Sequence, residues 1–179
     1  VRTILFLLFA SFSGVGATQE LSVSVGEANS RFSFPGQGEL SSDTYRLGLI
    51  YKTDFAWQLF RNQTLKLELE TGLHRWEDVF RENNKTGAYI TPMWRYYFEY
   101  ENFQPYVAIG IGLSYTNDGL FMDRELGSRF LFEDRFEAGF KIFEDHRISF
   151  SVNHYSNADL ADINHGVNLY YVNYAYRLK

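Results

Sequence analysis

Residues 64–72, "TLKLELETG", alternate strictly, with Leu65, Leu67 and Leu69 on one side and Lys66, Glu68 and Glu70 on the other. Successive side chains of an extended chain point to opposite faces. A period of two therefore makes a strand with one apolar and one charged face. The same alternation runs through "TYRLGLIYK", where Tyr45, Leu47, Leu49 and Tyr51 oppose Arg46, Gly48 and Lys52, with Ile50 out of phase. In "PYVAIGIGLSY", Val107, Ile109, Ile111, Leu113 and Tyr115 oppose Ala108, Gly110, Gly112 and Ser114. Carried along the chain, the pattern predicts eight strands, over 20–26, 44–53, 63–75, 87–99, 104–116, 129–142, 146–156 and 166–178.

An even number of strands, most of them near the ~9–11 residues that cross a bilayer at a tilt, fits a membrane barrel. The connections agree. Long polar segments follow the first, third, fifth and seventh strands, among them "RWEDVFRENNKTG", "TNDGLFMDRELGS" and "NADLADINHG". Short ones, "YENFQ" and "FED", follow the fourth and sixth, while "DFAWQLFRN" after the second is the exception. Short turns on one side and long loops on the other are the outer-membrane pattern. An aromatic content of 18 %, with 13 Tyr and 17 Phe, suits both strands and a membrane–water girdle. The predicted fold class is all-β, an eight-stranded antiparallel transmembrane β-barrel. A soluble barrel whose apolar face lines a ligand cavity is the alternative, which aromatic density, loop asymmetry and the tyrosine-rich last strand disfavour.

Arg2, the apolar run "ILFLLFASF" and the small residues Val15-Gly16-Ala17 read as an export signal over 1–17. The run is shorter than the roughly 20 residues of a membrane-spanning helix. Residues 18–179 are then one barrel domain whose amino terminus lies on the periplasmic side, so the long loops face outward. There is no cysteine, hence no disulfide and no thiolate metal site. The net charge of −5 argues against a nucleic-acid surface, which needs a basic patch.

The stretch "HYSNAD" places His154 and Ser156 two apart, in phase with Ile148, Phe150 and Val152 on the apolar face. In the last strand the apolar phase is Asn168, Tyr170, Val172, Tyr174, Tyr176 and Leu178, and antiparallel pairing brings Asn168 to the outer end near His154. Three polar residues thus meet on the outside of the barrel, at headgroup depth. A polar side chain facing lipid is costly and flags function. Serine beside histidine needs only a third group to hold the imidazole for acyl transfer. The plainer alternative makes both residues part of an interfacial girdle.

"HYSNADLADINHG", with "LGSRFLFEDR" and "PYVAIGIGLSY" upstream, resembles the lipid A 3-O-deacylase (PagL-type) family of Gram-negative outer membranes. The likeness covers about the last 75 residues at motif level, and the mature chain in length and strand count. The resemblance implies an eight-stranded barrel with a Ser-His-Glu triad on its lipid-facing wall, acting on the 3-O-linked hydroxyacyl ester of lipid A without a cofactor. Lipid A, as part of lipopolysaccharide, would be the substrate partner, and a homodimer stays open. Carried over by position, Ser156 is the nucleophile, His154 the general base, Asn157 an oxyanion donor and Asn164 a shaper of the loop. A preorganised donor of that kind is worth about 3 kcal/mol.

Two positions depart from the family. Asn168 stands where the triad glutamate belongs; an amide can hold an imidazole tautomer but carries no charge. Asp159 stands where a small glycine helps form the oxyanion hole. Asp159 or Asp162 is the alternative acid, and a non-catalytic barrel with a decayed triad is the alternative function. His74, His146 and His165 have no ligand spacing, so no metal site is expected. "FEDRFE" (Glu133, Asp134, Arg135, Glu137) reads as an interior salt-bridge network, and the glycines of "IGIGLS" as room inside a lumen filled by side chains.

Overall fold

The structure, a computed structural model, describes residues 19–29, 41–78, 84–143 and 145–178; the proposed export signal over 1–17 lies outside them. Among the described residues ten strands appear in chain order. They are β1 (Gln19–Asn29), β2 (Ser41–Phe60), β3 (Gln63–Trp76), β4 (Lys85–Phe98), β5 (Phe103–Thr116), β6 (Leu120–Phe121), β7 (Arg124–Glu125), β8 (Phe130–Ile142), β9 (His146–Ser156) and β10 (Val167–Arg177). Eight of them close into a barrel in the order β1-β10-β9-β8-β5-β4-β3-β2, while β6 and β7 form a small hairpin between β5 and β8. All pairings are antiparallel, so strand order follows chain order around the barrel.

The expected segments are found with modest changes at their ends, except in β2. "DFAWQLF", read from the sequence as a connection, continues that strand to Phe60. The register against β3 shifts between Lys52 and Ala56, which marks a β-bulge. Thr53 stabilises the irregularity: its hydroxyl donates to the Leu67 carbonyl at 2.6 Å and accepts from the Phe55 N–H at 3.2 Å. The bulge sets residues 53–55 against residue 67 alone, and Phe55, Trp57 and Leu59 keep the outward phase of Tyr45, Leu47 and Leu49. The polar Thr53 and Asp54 at the bulge ended the legible run. With it restored, the three inner connections, 61–62, 99–102 and 143–145, are all short.

The apolar face points outward. Leu47, Ile109, Ile111, Leu113, Phe136 and Phe150 are exposed around the wall. The lumen is ionic. Arg46 meets Glu133 at 2.6 Å, Arg95 meets Glu68 at 2.9 Å, and Arg135 meets Glu70 at 2.9 Å and Glu137 at 2.5 Å. Arg147 reaches Glu68 and Glu20, each at 2.9 Å. An inside-out distribution of this kind is stable only where lipid meets the wall, so the chain spans a membrane as a barrel. An apolar ligand cavity, the soluble alternative, is replaced by packed ion pairs. Gly110 and Gly112 lie on the inner face, where a Cβ would collide with Met93 and Thr91.

Each lumen charge is dehydrated, and its partners are what make its burial tolerable. Removing one member leaves the others uncompensated, which typically costs about 3–5 kcal/mol. Arg135→Ala removes the closest cationic partner of Glu70 and Glu137, leaving them only ion pairs of 3.5–3.7 Å to Arg46 and Arg95, and should lower barrel stability by about 3 kcal/mol. Urea unfolding in lipid vesicles measures it.

Candidate active site

On β9, Ile148, Phe150, Val152, His154 and Ser156 occupy the outer face, while Arg147, Ser149, Ser151, Asn153 and Tyr155 are buried inside. His154 and Ser156 are half-buried at the outer end of the strand. Pairing with β10 sets Asn168 directly opposite His154, as the alternating phases require. The two are joined: His154 Nδ1 lies 2.8 Å from Asn168 Oδ1. With the amide oxygen accepting, the proton sits on Nδ1 and the lone pair on Nε2 is left for a neighbour on the same face. No hydrogen bond among the described residues joins Ser156 to His154, so the serine shares the face and the level without being engaged.

Gly166 closes one side of the imidazole. Its φ is +57°, and a Cβ there would lie 2.9 Å from His154 Cε1 and 3.3 Å from Nε2. Only glycine gives both the left-handed backbone and that approach.

The loop after Ser156 begins with a tight turn. Leu160 N–H donates to the Asn157 carbonyl at 3.1 Å, and the two central residues, Ala158 and Asp159, have φ of 53° and 58°. Two successive positive φ values mark a primed turn, which favours Asn-Gly and strains other residues.

Asn157 does not do what the motif implied. Its side chain is buried, and its amide N–H groups donate to the Leu126 carbonyl at 2.8 Å and the Ile163 carbonyl at 2.7 Å. Its backbone N–H is taken by Asn164 Oδ1 at 3.0 Å. The physical reason is parity: Asn157 follows the outward Ser156, so its side chain turns into the barrel mouth and pins the loop. Asn164 lies within the loop, and its Nδ2 also donates to Asp159 Oδ1 at 2.9 Å.

The neighbouring loop supports this arrangement. His165 N–H donates to the Glu125 carbonyl and His165 Nδ1 accepts from Glu125 N–H, both at 3.2 Å. Beneath them Trp76, Phe121, Met122, Leu126 and Tyr155 form a buried cluster filling the outer mouth. Trp76 stacks against His74 with ring centroids 4.6 Å apart, so His74 is a packed lumen residue hydrogen-bonded to Ser114 at 3.1 Å. The β6–β7 hairpin that supplies Phe121 and Met122 was not visible as strands, because two-residue strands carry no period.

Neither alternative acid reaches the histidine. Asp159 is bound to Asn164 and Asp162 lies exposed in the loop, while Nδ1 of His154 is already held by Asn168. The reading of "FEDRFE" needs one correction. Glu133, Arg135 and Glu137 are in the lumen network, but Asp134 is on the opposite face of β8, exposed outward, with His154 as its register partner on β9. The signal was present in the phase: Asp134 alternates with Phe130, Phe132 and Phe136.

Comparison with known proteins gives a consistent result. The family model described as lipid A 3-O-deacylase (PagL) matches residues 43–177, which include every residue of the site. The chain is 32 % identical over 130 residues to lipid A deacylase PagL of Pseudomonas aeruginosa, covering 73 % of this chain and 75 % of that protein. It is 30 % identical over 154 residues to lipid A deacylase PagL of Bordetella bronchiseptica, covering 80 % and 85 %. The fold is similar to that in the crystal structure of the outer membrane enzyme PagL, with a TM-score of 0.77 and 29 % identity, over 89 % of this chain and 99 % of that one.

The glycine beside the imidazole gives a direct test of the geometry. Gly166→Ala should destabilise the barrel by about 1–2 kcal/mol, the cost of a left-handed non-glycine residue. It should also displace the His154 imidazole signals in NMR spectra of detergent-solubilised protein, leaving those of His146 in place.

Proposed function

Because the chain belongs to the lipid A 3-O-deacylase (PagL) family, we propose that it is a serine esterase of the outer membrane that hydrolyses the 3-O-linked hydroxyacyl ester of lipid A. The observation that carries the reading is the His154–Asn168 hydrogen bond of 2.8 Å, made on the lipid-facing wall beside Ser156. A catalytic face turned to lipid is wasted on a soluble substrate and well placed for one embedded in the leaflet.

The steps follow from the tautomer. Ser156 Oγ attacks the acyl carbonyl carbon as its proton passes to His154 Nε2, and the carbonyl π pair moves onto oxygen. The intermediate collapses with cleavage of the ester C–O bond, and Nε2 returns the proton to the departing sugar oxygen. Water then repeats the sequence on the acyl-serine, releasing the hydroxy acid. Asn168 keeps Nδ1 protonated and the ring in place. The oxyanion's donors are assigned to the turn after the nucleophile: the N–H groups of Ala158 and Asp159 donate no hydrogen bond among the described residues. Leu160 and Phe130, 80 % and 73 % exposed on the same rim, would rest among acyl chains.

Asn168 is also the feature that favours the second reading, a barrel of the same fold without catalysis. An ionised acceptor makes a hydrogen bond roughly twice as strong as a neutral one. A gain of about 1.4 kcal/mol in the transition state is tenfold in rate. Purified protein in detergent, incubated with lipid A, should release one hydroxyacyl chain by mass spectrometry. Ser156→Ala and His154→Ala should abolish release, and Asn168→Glu should raise kcat about tenfold. Release by Asn168→Glu alone would establish the non-catalytic reading, and release by Ser156→Ala would remove the nucleophile.

A further inference from the structure

The site as built from β9, β10 and their loop contains no anion bonded to the histidine, and proton transfer from Ser156 makes His154 a cation. Its flank on the other side, formed by β8, supplies one. Asp134 is the register partner of His154 across the β8–β9 ladder and shares its outward face. Directly opposite residues on one face have Cβ atoms roughly 4.5–5.5 Å apart. Ile111 stands opposite Asp134 on β5, Phe132 and Phe136 lie two residues away along β8, and Ser156 is its diagonal neighbour on β9. Among the described residues its carboxylate makes no hydrogen bond or ion pair.

A carboxylate on a lipid-facing wall, among phenylalanines, is unfavourable and adds nothing to packing. The lumen charges are retained because each has a partner; this one has none in the resting protein. A group that is costly when idle is explained if its partner is a charge that exists only during reaction. The charge that forms next to it is the imidazolium of His154.

We propose that Asp134 is a positioning residue of the hydrolase site, stabilising the transient imidazolium of His154 from the strand opposite Asn168. The inference rests on the esterase reading given above. It divides the duty of a triad acid in two: Asn168 fixes the tautomer through Nδ1, and Asp134 supplies the negative charge through space. No proton moves to Asp134. The proton leaving Ser156 stays on Nε2 until it is returned to the leaving oxygen, and the carboxylate lowers the energy of that interval.

The test measures lipid A deacylation in detergent micelles by variants with matched thermal unfolding. Asp134→Asn should lower kcat about tenfold with KM within about twofold, because it removes stabilisation made only in the transition state. Asp134→Glu, which keeps the charge, should retain kcat within about threefold of wild type. In an Asn168→Glu background, where a carboxylate already binds Nδ1, adding Asp134→Asn should change kcat less than about twofold. Three results would overturn the inference: wild-type kcat in Asp134→Asn, an equal loss in both backgrounds, or a rise in KM alone, which would make Asp134 a substrate contact. An active wild type silenced by Ser156→Ala but indifferent to Asp134→Asn defeats this inference and leaves the esterase reading standing. A wild type that leaves lipid A intact defeats both.

Discussion

The structure depends on the pairing of charges inside a closed wall. In a bilayer every backbone N–H and C=O must be satisfied within the chain, and closing the sheet on itself does so without leaving an edge. Closure of eight strands leaves a lumen just wide enough for side chains. Here Glu20, Glu68, Glu70, Glu133 and Glu137 fill it against Arg46, Arg95, Arg135 and Arg147. The network also fixes register. Glu133, inside β8, accepts from Asn153 of β9 at 2.5 Å and from Arg46 across the lumen at 2.6 Å. Behind that inner anchor, one residue along each strand, stand Asp134 and His154 on the outer face. A slip of one residue would turn His154 inward and place buried glutamates in lipid. The same interactions that hold the barrel shut hold the site in place.

Much of this was legible because a barrel strand has only two faces, and the period of two assigns each residue to one. His154, Ser156 and Asn168 were placed together on the outer wall from phase and antiparallel order alone, and the register sets Asn168 opposite His154. The failures share a cause as well. The end of β2 was misread because the polar Thr53 and Asp54 at the bulge looked like a turn, although Phe55, Trp57 and Leu59 continue the outward phase. Asn157 was given a role in chemistry by its motif although its parity points it inward. Asp134 was grouped with its charged neighbours by composition although its parity separates it from them. Where reading relied on residue type in preference to phase, it missed. The loop geometry was not recoverable in this way, since the positive φ at Ala158 and Asp159 and the bonds of Asn157 to Leu126 and Ile163 carry no period.

The position of the site on the wall solves a problem of access. Lipid A presents its ester at the level where sugar gives way to acyl chain, and a lumen packed with ion pairs admits nothing of that size. A substrate diffusing laterally in the leaflet meets the outer wall directly. The loop that follows Ser156 is correspondingly tied down at its base. Asn157 ties it to both Leu126 and Ile163, and the cluster around Trp76 and Phe121 fills the mouth beneath it. The result is a fixed turn at the edge of a fluid phase, so the protein supplies the preorganisation that the lipid lacks.

A strand in a wall has neighbours on both sides, and this distinguishes the present site from triads assembled on loops. A histidine on a loop is held by whatever single group reaches its Nδ1, so orientation and charge must come from one residue. His154, at the centre of the β8–β9–β10 ladder, has Asn168 to one side and Asp134 to the other at the same height. With Asp134 as the anion, an amide at position 168 leaves one flank of His154 uncharged while the other flank carries the charge. The amide then gives up only the extra strength of a charged hydrogen bond and spares the electrostatic stabilisation of the imidazolium. An asparagine at position 168 is in that case compatible with turnover, and the unpaired carboxylate on β8, otherwise an expense without return on a lipid-facing wall, is the reason.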